Sequence, residues 1–164
     1  MKQIIGAILA GVFMAGCAQL SPLNQTDKPG AEQTRPNARP AGAAAKRPPA
    51  SARTAEQFDT TSAAEKSAAR TAAEVAQKSG QGKLLGRTIA SLGDPTKPGI
   101  WIETPLVSEP AKGRAVYRGN GKAVQLDLIP IDGPATAGSR MSLAALRVIE
   151  APLTELLDVD VYIE

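Results

Sequence analysis

Two runs in the last third of the chain alternate residue by residue, a pattern that no helix can satisfy. Val124, Leu126 and Leu128 alternate with Ala123, Gln125 and Asp127, and Val159, Val161 and Ile163 alternate with Asp158, Asp160 and Tyr162. A period of two turns one face of a strand to a core and the other to water. The stretch from Gly113 to Arg118, the turn "GNGK" and "KAVQLDLI" read as a hairpin, because Asn120-Gly121 suits a turn that needs positive φ. "LLGRTIASL" and "GIWIE" are two further strands, and a helix over residues 142–150 must stop before Pro152. Residues 84–164 therefore form one small, mainly β domain with a modest core.

Upstream the composition changes. From Ala18 to about Ser62 the chain is dense in Pro, Ala, Gly, Thr and Ser, with Lys28, Arg35, Arg39, Lys46 and Arg53 scattered through it. Such a stretch cannot bury enough apolar surface to offset chain entropy, so a disordered tether is expected over residues 17–61, extended at Pro48 and Pro49. A flexible chain of this length reaches on the order of 35 to 40 Å. In "SAAEKSAARTAAEVAQKSG", Ser62 and Glu65 have capping-box spacing and Gly80 stands at a C-cap, which predicts a helix from about Ala63 to Lys78 within residues 62–80. Its only sizeable apolar residue is Val75, so the sequence predicts a solvated spacer, with a partner-binding or self-associating alanine seam as the alternative.

The opening residues, "MKQIIGAILAGVFMAGCAQL", place Lys2 before an apolar run from Ile4 to Met14 and small residues before Cys17. That is the layout of an export signal, and it is too short to span a membrane as a mature helix. Residues 14–17 (Met14, Ala15, Gly16, Cys17) resemble the lipobox of bacterial lipoprotein signals. The resemblance implies cleavage before Cys17, lipidation of its thiol and acylation of the new amine; several acyl chains are what a stable anchor needs. Ala18 stands where an aspartate signals inner-membrane retention in such lipoproteins, so the resemblance implies the outer membrane, periplasmic side. Cys17 is the only cysteine, so no disulfide forms within the chain.

The catalytic inventory is short. The chain has no histidine and one cysteine, which excludes Ser-His-Asp and Cys-His catalysis and His- or Cys-based zinc sites; no cofactor or metal is expected. Residues 84–164 carry 8 basic and 10 acidic residues, so the net charge of +3 belongs to the tether and no nucleic-acid partner is expected. A carboxylate site is the remaining catalytic option, with Asp132 and Asp127 as candidates and Glu103 or Asp94 as a second group. The alternative is that these are surface and turn residues, the ordinary place for Asp. The loop "GPATAGS" has P-loop-like glycine spacing from Gly133 to Gly138, but Ser139 stands where a phosphate-binding lysine belongs. Trp101, the only tryptophan, is expected in the core.

"NGKAVQLDLIPIDGPATAGSRMSLAALRVIEAP" followed by "VDVYIE" resembles the C-terminal half of the double-psi β-barrel of the rare-lipoprotein-A family, lipoproteins that include septal lytic transglycosylases. The resemblance covers about 45 residues. It rests on Asn120-Gly121, the strand from Val124 to Ile129, Asp132 near Gly133-Pro134, Arg140, Ser142 with Ala144 and Ala145, and the strand from Val159 to Ile163; "ASLGD" at 90–94 echoes the opening strand. It implies a small double-psi-like barrel with one short helix, and peptidoglycan as a partner. The family's catalytic aspartate lies two residues before the glycine, where this chain has Ile131, and a one-residue shift in a strand reverses a side chain. Glycan-cutting members also use a glutamate and a histidine, and this chain has no histidine.

A second resemblance joins "LGDPTKPGIWIETPLV" and "GSRMSLAALR" to short bacterial lipoproteins that often carry a galactarate-dehydratase name. Dehydratases of that kind are large metal-dependent cytoplasmic enzymes, and a chain without His or a spare Cys does not supply their chemistry. The sequence thus predicts an anchored, non-catalytic module that binds cell wall or an envelope protein, with a peptidoglycan lyase as the alternative and the sugar-acid dehydratase third. On this reading Asp132 is a turn former, and Ser139 or Ser142 caps the following helix.

Overall fold

The computed structural model describes residues 46–164. Six strands close into a barrel in the order β1-β5-β2-β4-β3-β6: β1 (Lys83–Leu92), β2 (Trp101–Thr104), β3 (Ala111–Tyr117), β4 (Ala123–Pro130), β5 (Ser139–Met141) and β6 (Leu157–Ile163). The mainly β fold expected from the alternating runs is the fold observed. Closure leaves no unpaired strand edge. Two pairs, β1 with β5 and β2 with β4, run parallel; the other four contacts are antiparallel.

The alternation sets the inside. Val124, Leu126 and Leu128 of β4 meet Val159 and Val161 of β6, Ala115 of β3, Ala90 of β1, Ile102 of β2 and Met141 of β5 in one buried cluster. Gln125, Asp127, Asp158 and Asp160 lie on the outer face. Gly113 points inward opposite Leu126, and a Cβ there would run into the Tyr162 carbonyl and the Leu128 side chain, so only glycine lets β3 approach β6 this closely. The β3–β4 hairpin turns as predicted: Gly121 adopts φ +73° and donates to the Tyr117 carbonyl at 2.8 Å.

The helix after β5, α3 (Leu143–Val148), is slightly shorter than the stretch 142–150. Ser142 caps it, its hydroxyl accepting from the Ala145 amide at 3.2 Å and from the Trp101 amide at 3.1 Å. Ala145, Leu146, Val148 and Ile149 join the barrel core, so α3 is part of the barrel's packing. Glu150 leaves the helix at φ +51°, a left-handed conformation uncommon for a side-chain-bearing residue.

Two expectations need correction. The alanine-rich helix, with α1 (Ala55–Phe58) before it, is α2 (Ala63–Lys78), with both capping-box bonds of Ser62 and Glu65 in place. It is not a solvated spacer. Ala73 and Ala76 are buried and Ala69 packs against the core, a seam at i, i+4 and i+7 that lies against β4 and α3. Val75, the one sizeable apolar residue of the helix, is 58% exposed. Small side chains make this contact because they let the helix backbone come close to the barrel.

The expected tether also ends earlier. Its last part, residues 49–61, is folded: the Ala52 amide closes a turn on the Pro49 carbonyl at 2.9 Å, Thr54 and Gln57 form a capping box on α1, and Ala52 and Thr61 are buried. Composition missed this because the hold comes from charged side chains rather than from apolar burial. The signal segment, Cys17 and the rest of the expected tether lie outside the described residues.

Candidate functional site

The loop singled out by the sequence, residues 131–138, connects β4 to β5. The Ile131 amide donates to the Thr104 carbonyl at 3.3 Å, Gly133 sits at φ +146°, and the Ala137 amide closes a turn on the Pro134 carbonyl at 2.8 Å. The loop does not open directly onto a helix. The three residues of β5 intervene before α3, which separates the glycines from the helix start and removes the phosphate-cradle geometry. Asp132 is exposed and forms no hydrogen bond or ion pair with a described residue. Main-chain bonds close this turn, not the Asp132 carboxylate.

Ser139, placed by sequence at the end of the loop or as a helix cap, points into the barrel. Its hydroxyl lies 2.9 Å from Thr88 Oγ1 and donates to Thr104 Oγ1 at 2.9 Å; all three residues are buried. The Leu106 amide extends the chain by donating to Thr104 Oγ1 at 3.3 Å. These hydroxyls tie β1, β5 and β2 together, since a one-residue slip of any of the three strands would turn its hydroxyl outward and leave the others unpaired in the core. The sequence signal was the inward register of Thr88 and Thr104 within otherwise apolar strand faces.

The outer face of β2, β4 and β5 carries the remaining candidates. Glu103 pairs with Lys97 at 2.6 Å, and the same Lys97 ammonium stands 4.5 Å from the centre of the Trp101 ring. Trp101 is 3% exposed, but it packs on the outside of the barrel under the β1–β2 loop rather than in the core cluster. Its Nε1 donates to the Lys97 carbonyl at 3.2 Å, and a Cβ at Gly93 would clash with its ring. Asp127 stands beside Trp101 on the neighbouring strand and pairs with Lys112. Asp94 accepts from the Thr96 hydroxyl at 2.7 Å and amide at 2.8 Å, which hold its carboxyl below the usual range. Arg140 of β5 registers opposite Glu103 and is exposed.

Glu103 of β2 and Asp127 of β4 share the outer face of neighbouring strands, whereas Asp94 lies in the β1–β2 loop and Asp132 in the β4–β5 loop. Glu103 and Asp127 are each matched by a lysine, Asp94 by a threonine, and Asp132 stands in the loop without a partner among the described residues. Hydrolytic glycosidase chemistry of the common kind uses two carboxylates in different electrostatic environments facing one bond. No group of three or more His, Cys, Asp or Glu among the described residues is disposed to hold a metal.

Sequence reasoning missed a second junction, between α2, the β3–β4 turn and the end of α3. Arg70 donates to the Val148 carbonyl at 3.0 Å and Asn120 to the Ile149 carbonyl at 2.8 Å, which satisfies the helix end. Glu150 pairs with Lys122 and, at 3.7 Å, with Arg70; the Lys122 contact is the main reason its carboxyl is held below the usual range. A groove of about 190 Å³ opens here, lined by Arg70, Glu74, Gln77, Asn120, Lys122 and Ala123. Its cations are already engaged by Glu150 and by main-chain carbonyls. Compared with known proteins, the chain matches no family model, no curated protein and no solved structure.

Proposed function

We propose that this chain is a lipid-anchored envelope protein whose barrel binds rather than cuts: a module tethered through Cys17 on the periplasmic side of the outer membrane that engages cell-wall polymer or an envelope protein. The observation that supports binding over catalysis is the pairing of the outer-face carboxylates. Glu103 is neutralised by Lys97 and Asp127 by Lys112, so neither is positioned as a free base beside a second, protonated acid. Ser139 and Ser142, the serines that follow the loop, are spent inside the barrel, on Thr88 and Thr104, and on capping α3.

What such a face offers is a mixed-charge surface. Lys97, Glu103, Asp127, Lys112 and Arg140 present both signs around a covered tryptophan, which suits a polymer carrying both carboxylates and amines. The test is a pull-down of the full-length anchored protein with purified peptidoglycan sacculi, followed by analysis of the supernatant for muropeptides. Retention without release supports the binding reading. Muropeptide release that depends on Asp132 or Asp127 overturns it in favour of a lyase, and failure to bind sacculi directs the search to a protein partner.

A further inference from the structure

We propose that residues 49–61 form a strap held onto the barrel by an ionic latch at Arg147, and that opening the latch lengthens the connection between the barrel and the chain before it. The geometry is specific. Arg147, on α3, binds two acids of the strap at once: Glu56 at 2.7 Å and Asp59 at 3.3 Å. Asp59 is the keystone. Its side chain is 1% exposed, and it is held by Arg147, by Lys66 of α2 at 2.7 Å and by the Thr61 amide at 3.3 Å.

The strap is fastened by charge more than by apolar contact. Apart from the Asp59 side chain, only Ala52 and Thr61 within it are buried, and Phe58 is half-buried. At roughly 25 cal/mol per Å² such a small apolar contribution does not order a segment of this length unaided. The ion pairs are therefore the holding element, and a desolvated carboxylate with two cations is all-or-none: removing one partner leaves the other charge buried and uncompensated. The Thr60 hydroxyl is buried without a partner among the described residues, a further sign that the docked strap is only partly satisfied.

The latch rests on no assumption about function, but its role in setting reach rests on the reading that the chain is anchored through Cys17. The strap lies directly between that cysteine and the barrel in sequence, so a pull from the anchor acts on Arg147 before it acts on any strand. Released and fully extended at roughly 3.3 Å per residue, the strap spans at most on the order of 40 Å, so the added reach is that length less the span of its docked form.

The test is limited trypsin digestion of the full chain with the cleavage after Arg53 followed by mass spectrometry. Arg53 lies inside the strap, its amide donating to Gln57 Oε1 at 2.6 Å and its guanidinium to the Ala52 carbonyl at 2.9 Å. Amide exchange of β1–β6 runs in parallel as the fold control. Arg147→Ala and Asp59→Asn should each raise cleavage after Arg53 by tenfold or more while barrel amides stay protected, and Arg147→Lys should fall between. Rates within twofold of wild type in both variants overturn the latch. Loss of barrel protection in the variants overturns it too, since the strap is then an integral part of the fold. Cys17→Ser should leave the Arg53 rate unchanged, so failure of the anchor and failure of the latch are read separately.

Discussion

Ser139 Oγ lies 2.9 Å from Thr104 Oγ1 inside the barrel, while Asp132, in the loop that leads to Ser139, stands outside it without a partner among the described residues. An expected helix cap and a candidate catalytic residue are thus divided between a structural role and a solvated one. Ser139 completes a chain of hydroxyls from β1 to β2, and each member is expensive to leave unpaired in a low-dielectric interior.

Ser139→Ala is expected to destabilise the barrel by about 1–3 kcal/mol, because it leaves the Thr88 and Thr104 hydroxyls buried with fewer partners. Urea unfolding monitored by Trp101 fluorescence measures it. An unchanged midpoint would mean that the remaining hydroxyls find each other or water.

Asp132→Asn is expected to change stability by less than about 0.5 kcal/mol, as for other exposed residues away from special features, and to leave sacculus binding intact. A purified Asn variant that folds normally yet loses a muropeptide-releasing activity of the wild type would falsify the non-catalytic reading, since the swap removes only a titrating proton.

Much of the barrel was legible because alternation is a direct imprint of a strand with one dry face: β6 follows it, β4 follows it from Val124 onward although Ala123, expected on the wet face, is buried, and the Asn120-Gly121 turn between β3 and β4 carries its own signal. β5 was not legible. Three residues cannot display a period, and Ser139–Met141 becomes a strand only because β1 and β2 stand on either side to pair with it. The same holds for α2, whose docking depends on alanines that count as neutral in any search for large apolar side chains, and for the strap, whose hold on Arg147 joins residues 88 and 91 positions apart. The candidate carboxylates could be named from sequence, but their pairing with Lys97 and Lys112 could not, because only the folded outer face decides which cation each one meets.

Ala73→Leu should cost about 1–3 kcal/mol, because Ala73 has no exposed surface and α2 must move off β4 to admit the extra carbons. Val75→Ala, two residues away on the exposed face, should change stability by less than about 0.5 kcal/mol. Equal effects at the two positions in thermal melts would show that α2 does not dock through its alanine seam.

Cys17→Ser should yield a chain that is neither lipidated nor cut before residue 17, recovered from the membrane fraction only through its uncleaved apolar segment. Intact-mass measurement decides the matter. A wild-type protein beginning at Met1 and free of acyl groups would remove the anchor from the proposed function while leaving the barrel's binding surface to be tested separately.

Stability should be flat from about pH 8 to pH 5.5 and fall below about pH 4.5. The chain has no histidine, so no side chain with an ordinary pKa titrates near neutrality. Four carboxylates are held below their ordinary values: Glu65 by the Ser62 hydroxyl and amide, Glu56 by a main-chain hydrogen bond and by Arg147, Asp94 by the Thr96 hydroxyl and amide, and Glu150 by Lys122. For each, the unfolded chain takes up protons at a higher pH than the native one. Their stabilisation is therefore complete above the ordinary value, 4.5 for the glutamates and 3.8 for Asp94, and is lost as the pH drops through the lowered values. All four are at the surface, where solvent weakens each contribution, so the decline should be shallow and spread over more than one pH unit. Melting temperatures across this range test the sign, and Glu65→Gln should flatten part of the acid limb by removing one of the titrating groups while keeping a capping acceptor. A melting temperature that rises on acidification from pH 5 to pH 3 would contradict the assignment of these groups as native-state stabilisers.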